Sequence, residues 1–344
     1  MRLISSVVVL MLPLIMMAAG PSAEEMALYN AREHGALAKE CLRVVDQDGV
    51  PVAGARVWGG LQTGDGYKDF IPIDGITDIN GEYVVQGKCT KRIACVIMAD
   101  GYYVSEFTME NYCYKHSLKD GKWHPYGETK MIGLKKIKKP VLMIHARNDM
   151  SDEVPLGEWH GYDIERRQWL PPYGDGVCAD MLVRLTLDVK NAINDFKATM
   201  EVSFTNNPCA GAYILAKDRF SEMKSEYEAD TNGHYQASFA FVKEKHVTKR
   251  NSKFNNQVTS VTKSDTSLGD DSYLVFRTRT KVDLDGNLVS AHYGKIYGPW
   301  EFFHGMRASN VQFNPTPNDP NLEDEKTVRY SEMRRRQILE QIGN

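Results

Sequence analysis

The feature that most restricts this chain is its punctuation. From Lys39 onward, short runs rich in Val, Ile, Tyr and Phe alternate with Asp-Gly, Asn-Gly and other Gly-rich breaks. The runs "ECLRVVDQ", "GARVWGGL", "GEYVVQG", "RIACVIMAD" and "YYVSEFTM" are too short for helices and carry the two-residue alternation of half-buried strands. Asp48-Gly49 and Asn80-Gly81 supply residues that adopt positive φ, as tight hairpins require. By alternation, Val57, Tyr83, Val85, Ala94 and Val96 are expected to point inward. Strand after strand, with no helical period between them, is the pattern of an antiparallel sandwich rather than of alternating strands and helices.

Ahead of this region stands "MRLISSVVVLMLPLIMMAAGPSAEE". One Arg precedes an uncharged run from Leu3 to Ala19, and small residues follow before Glu24 and Glu25. That is the layout of a secretory signal peptide. A membrane span would be slightly longer and would not contain Pro13. Residues 1–23 are therefore expected to be removed, with cleavage between Gly20 and Ala23. The mature chain is expected in the periplasm or outside the cell, with no transmembrane segment. The formal net charge is −3, and loss of Arg2 takes it to −4. Such a balance argues against nucleic acid as a partner. The local cluster "GLKKIKKP", Gly133 to Pro140, reads as a solvated strand end and linker.

Four segments of the mature chain follow from these breaks. Residues 24–38 form a helical or ordered lead-in, and residues 39–139 a first β domain. Residues 140–320 make a larger second β domain, a sandwich or jelly roll, and 321–344 a tail. In the second region, strand-like runs return at "CADMLVRLTLDV", "FKATMEVSFT", "AGAYILA", "HYQASFAFV", "SYLVFRTRTKVDLDGNLVSAHYGKIYG" and "ASNVQFN". Asp285-Gly286-Asn287 reads as a hairpin turn. Residues 113–126 read as a polar loop, "GEWHGYDIERRQWLPPYGDG" as irregular, and part of Lys243–Asp271 as an exposed excursion. In the tail, Met333, Ile338, Leu339 and Ile342 recur at helical spacing with Ser331 as a cap.

The first β region resembles a carboxypeptidase regulatory-like domain. The pattern G-x-P-[VL]-x-G-A-x-V is met by Gly49, Pro51, Val52, Gly54, Ala55 and Val57. T-D-x-x-G-x-[YF] is met by Thr77, Asp78, Gly81 and Tyr83, and the closing Gly-aromatic pair by Gly101 and Tyr102. The resemblance spans about residues 39–137 and implies a transthyretin-like (prealbumin-like) sandwich of about seven strands. The longer polar stretch from Gly59 to Asp74 and the enlarged loop from Cys113 to Tyr126 depart from the pattern. The remainder is similar to C-terminal parts of uncharacterised exported bacterial proteins that carry this module, which implies no activity.

Six cysteines remain, and none stands in a C-x-x-C pair. In an exported chain an even number permits disulfides. With a boundary near Pro140, Cys178 and Cys209 become partners by elimination, while Cys41, Cys89, Cys95 and Cys113 leave three connectivities open. Small thiols buried in the core are the alternative.

The chemical motifs resolve mostly into structure. No His begins H-x-x-E or H-E-x-x-H, so zinc peptidase chemistry has no ligand set. "GDGVCA" at Gly174 lacks the strand before and helix after that a dinucleotide site needs. "SEMK" at Ser221 lacks a K-T-G partner. Asp78 and Asn80 match the first ligands of a calcium loop, but the twelfth position is Cys89, and the turn reading prevails. No catalytic residue, metal or cofactor is expected. Trp159, Tyr162, Trp169, Tyr173 and Trp300 concentrate in two stretches and could stack on sugar faces if exposed, core packing being the rival. Trp159, Trp169, Tyr173 and Trp300 are the candidate ligand-binding residues. The preferred function is a non-enzymatic binding or scaffolding protein of the cell envelope, its partner an unknown envelope protein or glycan. A carbohydrate-binding protein is the first alternative. A hydrolase in the second domain, with two carboxylates or a Ser–His pair converging in a cleft, is the second.

Overall fold

A computed structural model describes residues 20–64, 69–110, 114–150, 155–204, 208–251, 257–303 and 306–343. The apolar leader and Cys113 lie outside the described residues. The chain is mostly β, in two sandwiches with a helix at each end. The expected lead-in is helical over α1 (Ala23–His34), and its last residues, from Ala36, open the first strand. Ser22 and Glu25 close a capping box at its start, and Gly35, at φ 76°, ends it. Leu28 and Ala31 are its buried face.

The first sandwich uses β1 (Ala36–Asp46), β2 (Arg56–Gln62), β3 (Phe70–Ile76), β4 (Glu82–Cys89), β5 (Ile93–Met98), β6 (Ser105–Met109), β7 (Leu118–Lys119), β8 (Lys122–Trp123) and β9 (Thr129–Leu134). One sheet runs β3-β2-β5-β6, all antiparallel. In the other, β1 pairs antiparallel with β4 and in parallel with β8 and β9. The parallel pairs depart from the antiparallel expectation, because the long return from β6 brings β9 alongside β1 in the same direction. Within the expected polar loop, β7 and β8 form a small hairpin that buries Trp123, whose indole N–H donates to the Cys89 carbonyl at 2.5 Å.

The core lies between these sheets. Leu42, Val44, Val57, Leu61, Val85, Ile132 and Leu134 meet there with Ile93, Cys95 and Ile97. Val57 and Val85 point inward as expected, and Tyr83 packs half-buried at the edge of the core. The phase of β5 is the reverse of the expectation: Ile93, Cys95 and Ile97 face the core, and Ala94 and Val96 face outward. Alternation failed because both faces are covered. Val96, Trp58, Met98 and Val104 pack against Ile338 and Ile342 of the C-terminal helix.

The second sandwich contains β10 (Ile144–Met150), β11 (His160–Asp163), β12 (Gln168–Trp169), β13 (Met181–Asn191), β14 (Asp195–Ser203), β15 (Gly211–Ala216), β16 (Ser238–Asn251), β17 (Gln257–Asp265), β18 (Ser272–Val282), β19 (Leu288–Tyr297), β20 (Trp300–Phe302) and β21 (Met306–Phe313). One sheet runs β12-β11-β13-β14-β16-β17, the other β10-β21-β19-β18-β15 with β20 on β21. Their shared core includes Val183, Met200, Val202, Phe204, Phe276, Ile296 and Phe313. The outer face of β15, β18 and β19 is also covered: Tyr213, Tyr273, Val275, Tyr293 and Tyr297 pack with Ala229 and Leu322.

Two stretches read as irregular are paired. The aromatic stretch forms the β11–β12 hairpin, turned at Arg167 with φ 61°. Much of the expected excursion is the β16–β17 hairpin, whose Val and Thr residues suit a strand even with few apolar neighbours.

The last helix, α2 (Glu325–Gly343), starts before Ser331. Ser331 is no cap: it is buried within the helix, and its Oγ accepts from the Val104 N–H at 2.7 Å. Ile338 and Ile342 face the first sandwich, while Met333 and Leu339 are exposed. Among the described residues no helix is long and apolar enough to cross a membrane.

Candidate functional site

The four aromatic candidates do not form a sugar platform. Trp300 is 0% exposed and Trp169 5%, both in the second core. Tyr173 packs half-buried against that core, and Tyr162 is enclosed in it. Trp169, Tyr162, Tyr173 and His160 stack edge to face, with ring centroids 5.0–6.1 Å apart. Large rings from β11, β12 and β20 fill the space where the two sheets meet, so burial took them from the surface. Trp159 alone stays open, 41% exposed, with the Arg184 guanidinium 4.7 Å from its ring centroid.

The Cys178–Cys209 pairing is likewise replaced by free thiols. Cys209 is exposed at φ 59° ahead of β15, and Cys178 sits half-buried on the Asp163 loop. Elimination by domain assumed that every thiol seeks a partner. Cys89 and Cys95 instead fill the first core, where burial pushes their thiols up to about 11 and about 12 respectively.

Three carboxylates of the second sandwich converge on one arginine. Asp163 and Asp180 are both 0% exposed. Arg279 donates from Nε and Nη2 to Asp180 at 2.8 and 2.9 Å, and from Nη2 to Asp163 at 3.0 Å, and it also pairs with Glu165. Asp163 Oδ2 takes the Val177 and Cys178 N–H groups, and Asp180 Oδ2 takes that of Ile164. Burial raises Asp180. Burial would raise Asp163 too, but the N–H groups of Val177, Arg166 and Cys178 and the Arg279 charge hold it below the usual range. Two amides of "GDGVCA", those of Val177 and Cys178, thus bind a protein carboxylate. Arg279 itself has φ 52° where the β18–β19 register shifts. The group ties the 163–180 loop to β18 and encloses Asp163 and Asp180, while Glu165 stays exposed.

A second polar concentration lies between the sandwiches. Lys295 on β19 is 1% exposed; its Nζ donates to Ser225 Oγ at 2.8 Å and to the Leu322 carbonyl at 2.6 Å. Burial drives its ammonium down to about 7. A Ser–Lys contact has the composition of an activated nucleophile. Ser225, however, is 0% exposed, so no substrate reaches it. "SEMK" occupies the same seam: Ser221 is buried, and its N–H donates to Asp218 Oδ1 at 2.9 Å.

The Glu323 carboxylate is the centre of this seam. It accepts from the Tyr103 hydroxyl at 3.0 Å and from the Lys138 and Lys139 N–H groups at 2.8 and 2.6 Å. Its neighbour Asp324 meets His145 Nε2 at 2.9 Å. Lys135 Nζ donates to the Met223 and Ser225 carbonyls at 3.2 and 3.0 Å. Arg334 of α2 pairs with Glu222 at 2.9 Å and also with Glu106. Sequence reasoning missed Lys295 and Glu323. Lys295 did leave a trace: it shares its strand face with Tyr293 and Tyr297, where an apolar residue is expected.

Elsewhere, an open groove of about 970 Å³ separates α1 from the β7–β8 hairpin, lined by Leu28, Ala31, His34, His116, Leu118 and Asp120. Among the described residues no three His, Cys, Asp or Glu groups could together hold a metal. "TDINGEYVV" is a turn running into β4: Asp78 Oδ1 accepts from the Asn80 and Glu82 N–H groups at 2.9 and 2.8 Å, and Gly81 has φ 73°.

No family model matches the chain, and no curated protein does. Among solved structures it is similar to 3-chlorocatechol 1,2-dioxygenase from Rhodococcus opacus, at 13% identity and TM-score 0.25, over 30% of this chain and 62% of that one. It thus spans less than two thirds of the dioxygenase. A streptococcal ancillary pilin matches at 13% identity and TM-score 0.20, over 84% of this chain and 61% of the pilin. A candidate carbohydrate-binding protein from Bacteroides uniformis matches at 8% identity and TM-score 0.17, over 82% and 98% of the two chains. At such scores these likenesses carry no argument about what the chain does.

Proposed function

We propose that this protein is an exported, non-enzymatic binding or scaffolding protein of the cell envelope. The seam around Glu323 carries the reading. It spends one group of buried charges, Lys295, Glu323 and Asp324, on holding two sandwiches together, which suits a body that presents its loops and sheet edges rather than one that turns over a substrate. The layout of residues 1–23 supports export. The motifs from Gly49 to Tyr102 support a carboxypeptidase regulatory-like module in residues 39–139, with the second domain beginning near Pro140. A narrower second reading, sugar binding, rests on Trp159 alone, the one candidate ring left exposed.

Expression with the native leader, followed by fractionation and N-terminal sequencing, tests this. The expected result is a mature chain beginning between Pro21 and Glu24 in the periplasm or medium. That chain cross-links there to a defined envelope component, and Trp159→Ala leaves the cross-link intact. Retention of the uncleaved chain in the cytoplasm overturns the proposal. Binding to polysaccharide that Trp159→Ala abolishes replaces it with the sugar reading.

A further inference from the structure

Away from the seam, the β16–β17 hairpin ends in a strand edge. β17 ends its six-stranded sheet, and among the described strands it pairs with β16 alone. β14 stops pairing with β16 at Asp195–His246, yet β16 and β17 continue together from Val247–Val261 to Asn251–Gln257. A two-stranded ribbon therefore runs past the body of the sheet. Its outer strand, "QVTSVTKSD", is dense in β-branched residues, which favour pairing. A free strand edge carries a row of N–H and C=O groups spaced for another backbone. A polypeptide matches that row, whereas a glycan or a lipid surface has no such array.

Charge narrows the partner. Lys243, Lys245 and Lys263 stand on the ribbon against Glu244 and Asp265, on a chain whose net charge is −3. Lys245 lies directly opposite Lys263 in the register. Like charges so placed repel, and an acidic residue on an adjoining strand relieves that repulsion. We propose that the free edge of β17 takes up an extended acidic polypeptide segment as the next strand of this sheet. The inference rests on the binding reading above and gives it a surface and a partner chemistry.

The test uses the full mature chain and a synthetic peptide of alternating glutamate and valine. Hydrogen exchange by mass spectrometry reads the amides of residues 257–265, and fluorescence anisotropy reads binding. The expected result is slowed exchange across β17, with affinity lowered roughly tenfold in the Lys245→Glu, Lys263→Glu double variant. Salt raised from about 0.05 to 0.5 M should weaken binding similarly. The same peptide with alternate amides N-methylated keeps its charge but cannot pair, and should bind at least about tenfold more weakly. Equal binding by the N-methylated peptide, or binding that leaves β17 exchange unchanged, overturns the proposal. So does protection of β17 that grows with protein concentration alone, which would make the occupant a second copy. These outcomes leave the fractionation result standing, so the two failures are told apart.

Discussion

Asp46, Asp78 and Asp283 each begin the same device, Asp-x-[Asp/Asn]-Gly-x. Each Oδ1 accepts from the N–H groups two and four residues on, at 2.8–3.0 Å. The glycines at 49, 81 and 286 all have φ between 73° and 84°. A side chain at Gly81 would in addition collide with the Val44 carbonyl oxygen. What looks like metal chemistry in sequence is thus the carboxylate serving its own turn. Lys295 is the opposite case, a charge that costs stability. Its folded value of about 7 lies below the unfolded value of about 10.4. Between the two, the unfolded chain holds a proton that the folded chain sheds. Stability at this site is therefore lowest below pH 7 and rises as pH climbs towards 10. Measured against Lys295→Met by urea unfolding, the wild type should gain on the order of 1 kcal/mol per pH unit across that window. A difference that does not change with pH would refute the assignment.

At the scale of elements, α2 explains why the alternation in β5 gave the wrong phase. A strand covered on both faces reads as continuously apolar, and "RIACVIMAD" does. The helix supplies the second cover through Ile338, 6% exposed, while Leu339 on the next position is 47% exposed. Ile338→Ala should destabilise the chain by about 2 kcal/mol and Leu339→Ala by under about 0.5 kcal/mol, read from denaturant midpoints. Equal costs would mean that the helix is not docked on this face. The helical spacing of the tail was legible in sequence. Its start was not, because Ser331 has the chemistry of a cap, and only the approach of Val104 decides what its hydroxyl bonds.

The whole molecule is held by a segment distant in sequence from what it joins. Glu323 reaches Tyr103 across 220 positions. Glu323→Ala removes three hydrogen bonds to one charged acceptor and should cost about 2–4 kcal/mol. Calorimetry should show one unfolding transition for the wild type and two for the variant, one for each sandwich. One unchanged cooperative transition would show that the seam does not couple them.

The sequence by itself determined the class of fold, the strand-and-turn order of the first sandwich and the helical tail. These depend on local rules: alternation, positive φ at glycine and helical spacing. Only the tertiary structure decided which aromatic rings are exposed, which face of β5 is inside, and where the charged groups gather. Trp169 and Trp300 have the same composition of neighbours as surface rings would, and the arrival of the facing sheet buries them. Glu323, Lys295 and Arg279 acquire partners from strands and loops far along the chain, and no local pattern encodes which distant group will arrive.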